Sequence, residues 1–409
     1  MKALPLLFFL AVFATVSVGQ TANRVEVPLN FKKFQNAGEM ITLTLGGVTN
    51  FFDVRPPKGY SPFTGAIKPV FFQLRLEDVT LTGVLARSSA KAKSYDRLWV
   101  DWNGDKKFTG DEKLMGTETV KGEEKFVVFG PVERTLNERK LEAFFLVHGD
   151  YHIHIVPAGY YEGETELNGR NFKLGLTDGN MNGVLGDKAA IGAGLSGSGW
   201  GGDVLLVDFD GDGVFGIQKL AEAAFLFGEV YYLTHLVQLP DGNFYRIKVS
   251  EDGSKLLLER DNSPTGKVKM VCKRFTLGLM GQEGNLVVRG QDGECLLSTG
   301  VYQTQWAVIA EADEQGKLWQ ALLFFYRQSP RFRVTKDKPA DLPFGPPFKL
   351  VLDVGREGKK LEFSLSLEDK SGNSVNAIFT PDMEQPKEPN LVITDMKGKV
   401  VKTEKFHHG

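Results

Sequence analysis

Phe244-Tyr-Arg-Ile-Lys-Val249, then Glu251-Asp-Gly-Ser254, then Lys255-Leu-Leu-Leu-Glu259: two short runs rich in aromatic and aliphatic residues flank an Asp-Gly pair. Asp-Gly supplies the positive-φ residues a tight hairpin turn requires, so this stretch reads as two antiparallel strands. Just before it, Pro240-Asp-Gly-Asn243 is another turn. Further on, Asn285-Leu-Val-Val-Arg289, Gln291-Asp-Gly-Glu294 and Cys295-Leu-Leu297 repeat the design, followed by Gly300-Val-Tyr302 and the strand Trp306-Ala-Val-Ile309.

The same grammar runs through the chain. It carries 46 glycines and 30 phenylalanines among 409 residues, set as short alternating runs between turn signals, which favours antiparallel sheets over helices. After the proline-marked link Pro343-Phe-Gly-Pro-Pro347, Phe348 to Val354 and Leu361 to Leu367 alternate, and Leu391 to Thr394 precedes the turn Lys397-Gly398. These read as a small sandwich of immunoglobulin-like size. One exception lies between Ile217 and Phe227, where Leu220, Ala223, Ala224 and Phe227 follow helical spacing. The expected fold class is therefore mainly β: antiparallel sandwich-like domains with inserted loops and a short helix. The boundaries fall at 20–225, 226–342 and 343–409.

Residues 1–19 open with Lys2 and continue through an apolar run from Leu4 to Val18 that ends Ser17-Val18-Gly19. That is the pattern of a secretory signal peptide, with the mature chain expected from about Gln20. The apolar run is short of the roughly twenty residues a membrane span needs, so no membrane insertion is expected after cleavage. A formal charge of −2 without a basic run gives no electrostatic footprint for nucleic acid or an anionic membrane. Cys272 and Cys295 are the only cysteines. In an oxidising exported compartment two thiols on neighbouring strands can pair or can stay buried and free, and spacing alone does not fix the Cβ geometry.

The strongest chemical signal is Asp101-Trp-Asn103-Gly-Asp105-Lys-Lys107-Phe-Thr109-Gly-Asp111-Glu112. Oxygen side chains fall at loop positions 1, 3, 5, 9 and 12, the ligand positions of an EF-hand calcium loop. Calcium takes six to eight oxygens, so Asp101, Asn103, Asp105, the Lys107 carbonyl and Glu112 are the expected ligands. Position 6 holds Lys106 where glycine is usual, and Arg97-Leu-Trp-Val100 enters as a strand rather than a helix. A second loop, Asp208-Phe-Asp210-Gly-Asp212-Gly213, has acids at positions 1, 3 and 5 but Lys219 at 12, so it must borrow a ligand, for which Asp203 is the candidate. A third, Asp178-Gly-Asn180-Met-Asn182-Gly183, reaches Asp187 at position 10. The shared Gly-Val-hydrophobic-Gly tails of the second and third loops suggest a duplication, and their proximity in sequence suggests cooperative binding. Asn, Asp and Gly also make ordinary turns. Three aspartates crowded into one turn, however, repel one another unless a cation compensates.

On these residues the chain resembles exported bacterial proteins with dockerin-like or EF-hand-like D-x-N-x-D-G loops, in which a strand runs into the loop as Leu-Val-Asp208 and Leu-Trp-Val-Asp101 do here. The resemblance covers roughly residues 95 to 220. It implies Ca2+ binding and local stabilisation, and it transfers no activity. The C-terminal half resembles generic β-sandwich accessory modules.

Other motifs are weaker. His152-Ile-His154 on a strand points both imidazoles to one face, with His148 nearby, and the favoured reading is a half-exposed polar strand face. Gly192-Ala-Gly194-Leu-Ser-Gly197 matches a dinucleotide fingerprint only formally, because no βαβ unit surrounds it. The expected function is an exported, secreted or periplasmic envelope protein without catalysis, in which calcium orders loops, with an unknown protein or glycan as ligand. The rival is a secreted hydrolase or carbohydrate-active enzyme drawing acids from Asp150, Glu162, Glu164 and Glu166.

Overall fold

The computed structural model describes residues 23–44, 47–63, 66–76, 78–121, 124–149, 152–188, 202–215, 229–250, 253–325, 329–358, 360–380 and 386–406. The signal-like segment, the expected helix at 217–227 and the 192–197 glycine motif lie outside those residues. The chain is mainly β and its sheets are almost wholly antiparallel, as the alternation predicted; among the described residues only Thr265–Lys269 and Ala340–Asp341 pair in parallel. The quoted hairpin forms as expected: strand Phe244–Val249 pairs with Lys255–Arg260 in the register Ile247 to Leu258.

Eight strands between Val48 and Pro157 form one antiparallel sheet, which curls until its edges meet in the bridge Asp53 to Phe71. The closure is made by both amides, Asp53 N to Phe71 O at 2.8 Å and the reverse bond at 2.6 Å. Eight strands enclose a space that side chains fill. Strand Arg139–His148 shows how: Leu141, Ala143, Phe145 and Val147 face that interior with Phe72, Leu98 and Ile153. Each such buried leucine, isoleucine, valine or phenylalanine stabilises the fold by about 1.5–3 kcal/mol.

The outer face of the same strands carries Phe126, Leu146 and Val156, and it packs on a five-stranded sheet through Val204, Leu206 and Val230. The helix Ala37–Thr44 covers this seam with Ala37, Met40 and Leu43. It begins at Asn36, whose Oδ1 accepts the Glu39 amide at 2.9 Å. Its glycine and β-branched residues give no helical signal in the sequence.

A nine-stranded sheet dominates residues 265–379. Its glycines admit neighbouring rings: a Cβ on Gly278 would strike Trp306, and one on Gly290 would strike Phe275, in each case the cross-strand partner. Val25 to Leu258 and Ala321 to Ile378 are strand pairings across the expected boundaries at 225 and 342, and one core holds Val27, Leu174, Tyr245, Trp306 and Phe379 together. Residues 343–409 contribute two two-stranded ladders, Lys349–Glu357 with Lys360–Glu368 and Asn390–Thr394 with Val400–Lys405. Their apolar residues, Leu350 and Val401 among them, are largely exposed.

The two cysteines are free thiols. Cys295 lies opposite Val268 and turns into the core, whereas Cys272 sits beyond the end of that partner strand and donates its S–H to the Arg274 carbonyl at 3.5 Å. Burial pushes both thiols up to about 12.

Candidate metal centre

The three aspartate-rich loops share one backbone. Positions 4 and 6 take positive φ in each: Gly104 and Lys106, Met181 and Gly183, Gly211 and Gly213. Lys106, at φ 64, adopts the conformation for which glycine is usual, at a cost of about 1–2 kcal/mol. The hydrogen bonds repeat as well. The position-6 amide donates to Oδ2 of position 1: Lys106 to Asp101 at 3.0 Å, Gly183 to Asp178 at 2.8 Å, Gly213 to Asp208 at 3.1 Å. The position-5 amide donates to the position-3 oxygen: Asp105 to Asn103 at 2.9 Å, Asn182 to Asn180 at 3.2 Å, Asp212 to Asp210 at 3.0 Å. The position-7 amide donates to position 5: Lys107 to Asp105 at 2.9 Å, and Val184 to Asn182 and Val214 to Asp212, both at 2.8 Å.

Ordinary aspartate turns in the same chain look different. At Asp313 and Asp395 a single Oδ1 takes the amides two and four residues on, Gln315 and Lys317 or Lys397 and Lys399. No further acid joins those turns at the third or fifth position. The calcium-type loops instead fix three side chains in sequence: positions 3 and 5 hold an amide with Oδ1, and the position-1 aspartate holds amides with both oxygens.

In the loop at 208, Asp208, Asp210 and Asp212 bring ligand oxygens within 4.8 Å of one another; among the described residues no other three His, Cys, Asp or Glu converge so closely. Asp208 is buried and the other two are exposed. The further acid at this loop is Glu229, which sequence spacing missed. Its Oε1 accepts the Phe209 amide at 2.7 Å and the Asp210 amide at 3.2 Å. Glu112 does the same in the loop at 101, where its Oε1 accepts the position-2 amide of Trp102 at 3.3 Å. Sheet register explains the placement. Val230–Tyr232 pairs antiparallel with Val204–Val207, so the residue before Val230 lies beside Val207 and Asp208.

That register also corrects the expectation for Asp203. Arg170–Thr177 and Val204–Val207 are antiparallel neighbours, with Thr177 opposite Val204. Asp203 therefore lies against the loop at 178, where it accepts the amides of Gly186 and Asp187. Loops 178 and 208 leave opposite ends of this ladder, about 16 Å apart along the strand, so the cooperativity expected from their closeness in sequence has no geometric basis.

The loop at 178 has a buried acidic centre. Asp203 is 0% exposed and its Oδ1 has no hydrogen-bond partner among the described residues. Burial raises its carboxyl to about 8, and Asp178 and Asp187 nearby push the same way. Burial also raises Asp178, to about 6, against three amide donors that favour its charged form. Asn180 and Asn182 donate to Asp187 Oδ2 at 3.2 and 2.6 Å.

In the loop at 101, Asp101 and Glu112 are buried. Glu112 ends a single 3-10 turn, Gly110–Glu112, and its Oε2 accepts the Thr109 amide at 2.9 Å and hydroxyl at 3.1 Å. Asp101 also accepts the Tyr60 hydroxyl at 2.6 Å. Burial and this hydrogen bond push the Tyr60 phenol up to about 12. Tyr60 carried no sequence signal because 41 residues separate it from its partner. Asp101, Asp105 and Glu112 are oriented by separate donors and do not converge as the triad at 208 does.

No family model, curated protein or solved structure matches the chain.

Proposed function

We propose that this is an exported calcium-binding β protein in which Ca2+ orders the loops at 101, 178 and 208, and that it serves as a non-catalytic envelope or extracellular binding module. The observation that carries the reading is the convergence of Asp208, Asp210 and Asp212 within 4.8 Å, with Glu229 held over the same loop. Three carboxylates this close repel one another in water, and a hard divalent cation removes that repulsion while accepting oxygen ligands in a flexible geometry. The Oδ1 of Asp203, without a hydrogen-bond partner among the described residues, supports the same chemistry at the loop at 178.

In this reading the metal is structural. It binds the folded chain and not the unfolded one, so it adds to folding stability by mass action, about 2.7 kcal/mol at a hundredfold excess over Kd. The test is calcium titration by calorimetry, with unfolding midpoints in millimolar calcium and in EDTA. Wild type is expected to bind calcium and to melt higher in its presence. Glu229→Gln keeps an acceptor for the two amides yet removes a charge, so it should weaken one site about tenfold and leave the rest unchanged. Asp101→Ala should remove the contribution of the loop at 101 alone. Coincident melting curves in calcium and EDTA would overturn the proposal.

A further inference from the structure

We propose that His148, His152 and His154 form a second metal site, separate from the carboxylate loops, for a divalent transition ion of the zinc class. Strands Arg139–His148 and His152–Pro157 make a hairpin whose register sets His152 directly opposite His148 and His154 opposite Leu146. Val147, Ile153 and Ile155 of the same strands face the barrel interior. Strand alternation therefore turns all three imidazoles to the outer face.

The spacing suits one ion. The His148 and His152 ring centroids are 5.7 Å apart, and those of His152 and His154 are 4.8 Å apart. With zinc–nitrogen bonds of about 2.0–2.1 Å, two tetrahedral imidazole ligands place their centroids roughly 5 Å apart, so His152 meets both neighbours at chelating range. The rings now stand edge to face, at 81° and 80°. As they stand the ring nitrogens of the three histidines do not converge as the triad at 208 does, so ligation takes rotation of the imidazoles on strands whose register already sets them on one face.

Two further features belong to such a site. Thr49, on the strand beyond His154, lies 2.7 Å from His154 Nδ1 through its hydroxyl. Metal-bound histidines are held in this way by a partner on the other nitrogen. Phe126 stacks on the His148 ring at 4.8 Å and Phe51 meets His152 edge-on at 6.0 Å, so apolar surface flanks the imidazoles. The neutral ring is the form that ligates. Imidazole donors select zinc, copper or nickel over calcium, which takes oxygen.

The experiment titrates zinc into the chain against a chromogenic chelator, in millimolar calcium. His407→Ala and His408→Ala are present in every sample, so that the terminal pair contributes nothing. The parent is expected to take one zinc per chain with competitive affinity. His152→Gln should abolish it, His148→Gln and His154→Gln should weaken it at least about tenfold, and Thr49→Val should weaken it about tenfold through His154. Asp210→Asn with Asp212→Asn should leave zinc affinity unchanged, which keeps this result independent of the calcium reading. Unfolding midpoints in EDTA confirm that the variants fold. Zinc affinity equal in the parent and in all three histidine variants, or a folded parent that takes no zinc, would overturn the proposal.

Discussion

Replacing Asp210 and Asp212 together by asparagine should change the sign of its effect with calcium. Both substitutions keep the Oδ1 acceptors that hold the Asp212 and Val214 amides, so the loop backbone is preserved. What they remove is charge. The three carboxylates form three pairs within 4.8 Å, and a pair at that distance costs about 0.9 kcal/mol in water. Screening at physiological salt reduces this to roughly 0.5 kcal/mol per pair, since the separation is a little over half a Debye length. The double variant removes all three pairs, so in EDTA it should be more stable than wild type by up to about 1.5 kcal/mol. In millimolar calcium the order should reverse, because wild type gains about 2.7 kcal/mol at a hundredfold excess over Kd and the variant loses most of that gain. Guanidinium unfolding of both proteins, in calcium and in EDTA, gives all four free energies. A double variant equally destabilised under both conditions would show that the aspartates act only as turn formers, and would refute the electrostatic reasoning.

Three other outcomes follow from the structure. Tyr60→Phe deletes the hydroxyl that donates to buried Asp101 and should cost about 1–3 kcal/mol, read by denaturant unfolding; a neutral effect would place Tyr60 outside the loop's support. Both thiols sit near 12 in the folded chain against about 8.5 unfolded. Because the folded state holds these protons more tightly, the stability they contribute is full below the unfolded value and is lost as pH rises through the window toward 12. At mildly alkaline pH, thiol reagents should therefore label the native protein slowly and the unfolded chain fast, and fast labelling of both would contradict this. Gly278→Ala drives a Cβ into Trp306 and should destabilise by about 1–3 kcal/mol, whereas Gly110→Ala, with open space at that Cβ position, should be near neutral.

Much was legible in the sequence. The hairpin at 244–260, the turns at 240–243 and 291–294 and the mainly antiparallel β class followed from local alternation and turn chemistry, which operate over a few residues. The three loops were likewise readable, because positions 1, 3 and 5 act within one turn and the structure gives all three the same hydrogen-bond ladder. Tertiary structure decided how distant segments meet. Register along Val204–Val207 gave Asp203 to the loop at 178 and Glu229 to the loop at 208, reversing the nearest-neighbour guess. Closure of the eight-stranded sheet at Asp53 and Phe71, the approach of Tyr60 to Asp101, and the separation of Cys272 from Cys295 have the same origin. Each depends on which strands become neighbours and in what register. That choice is made by burial summed over whole sheet faces, and no single stretch of sequence contains it.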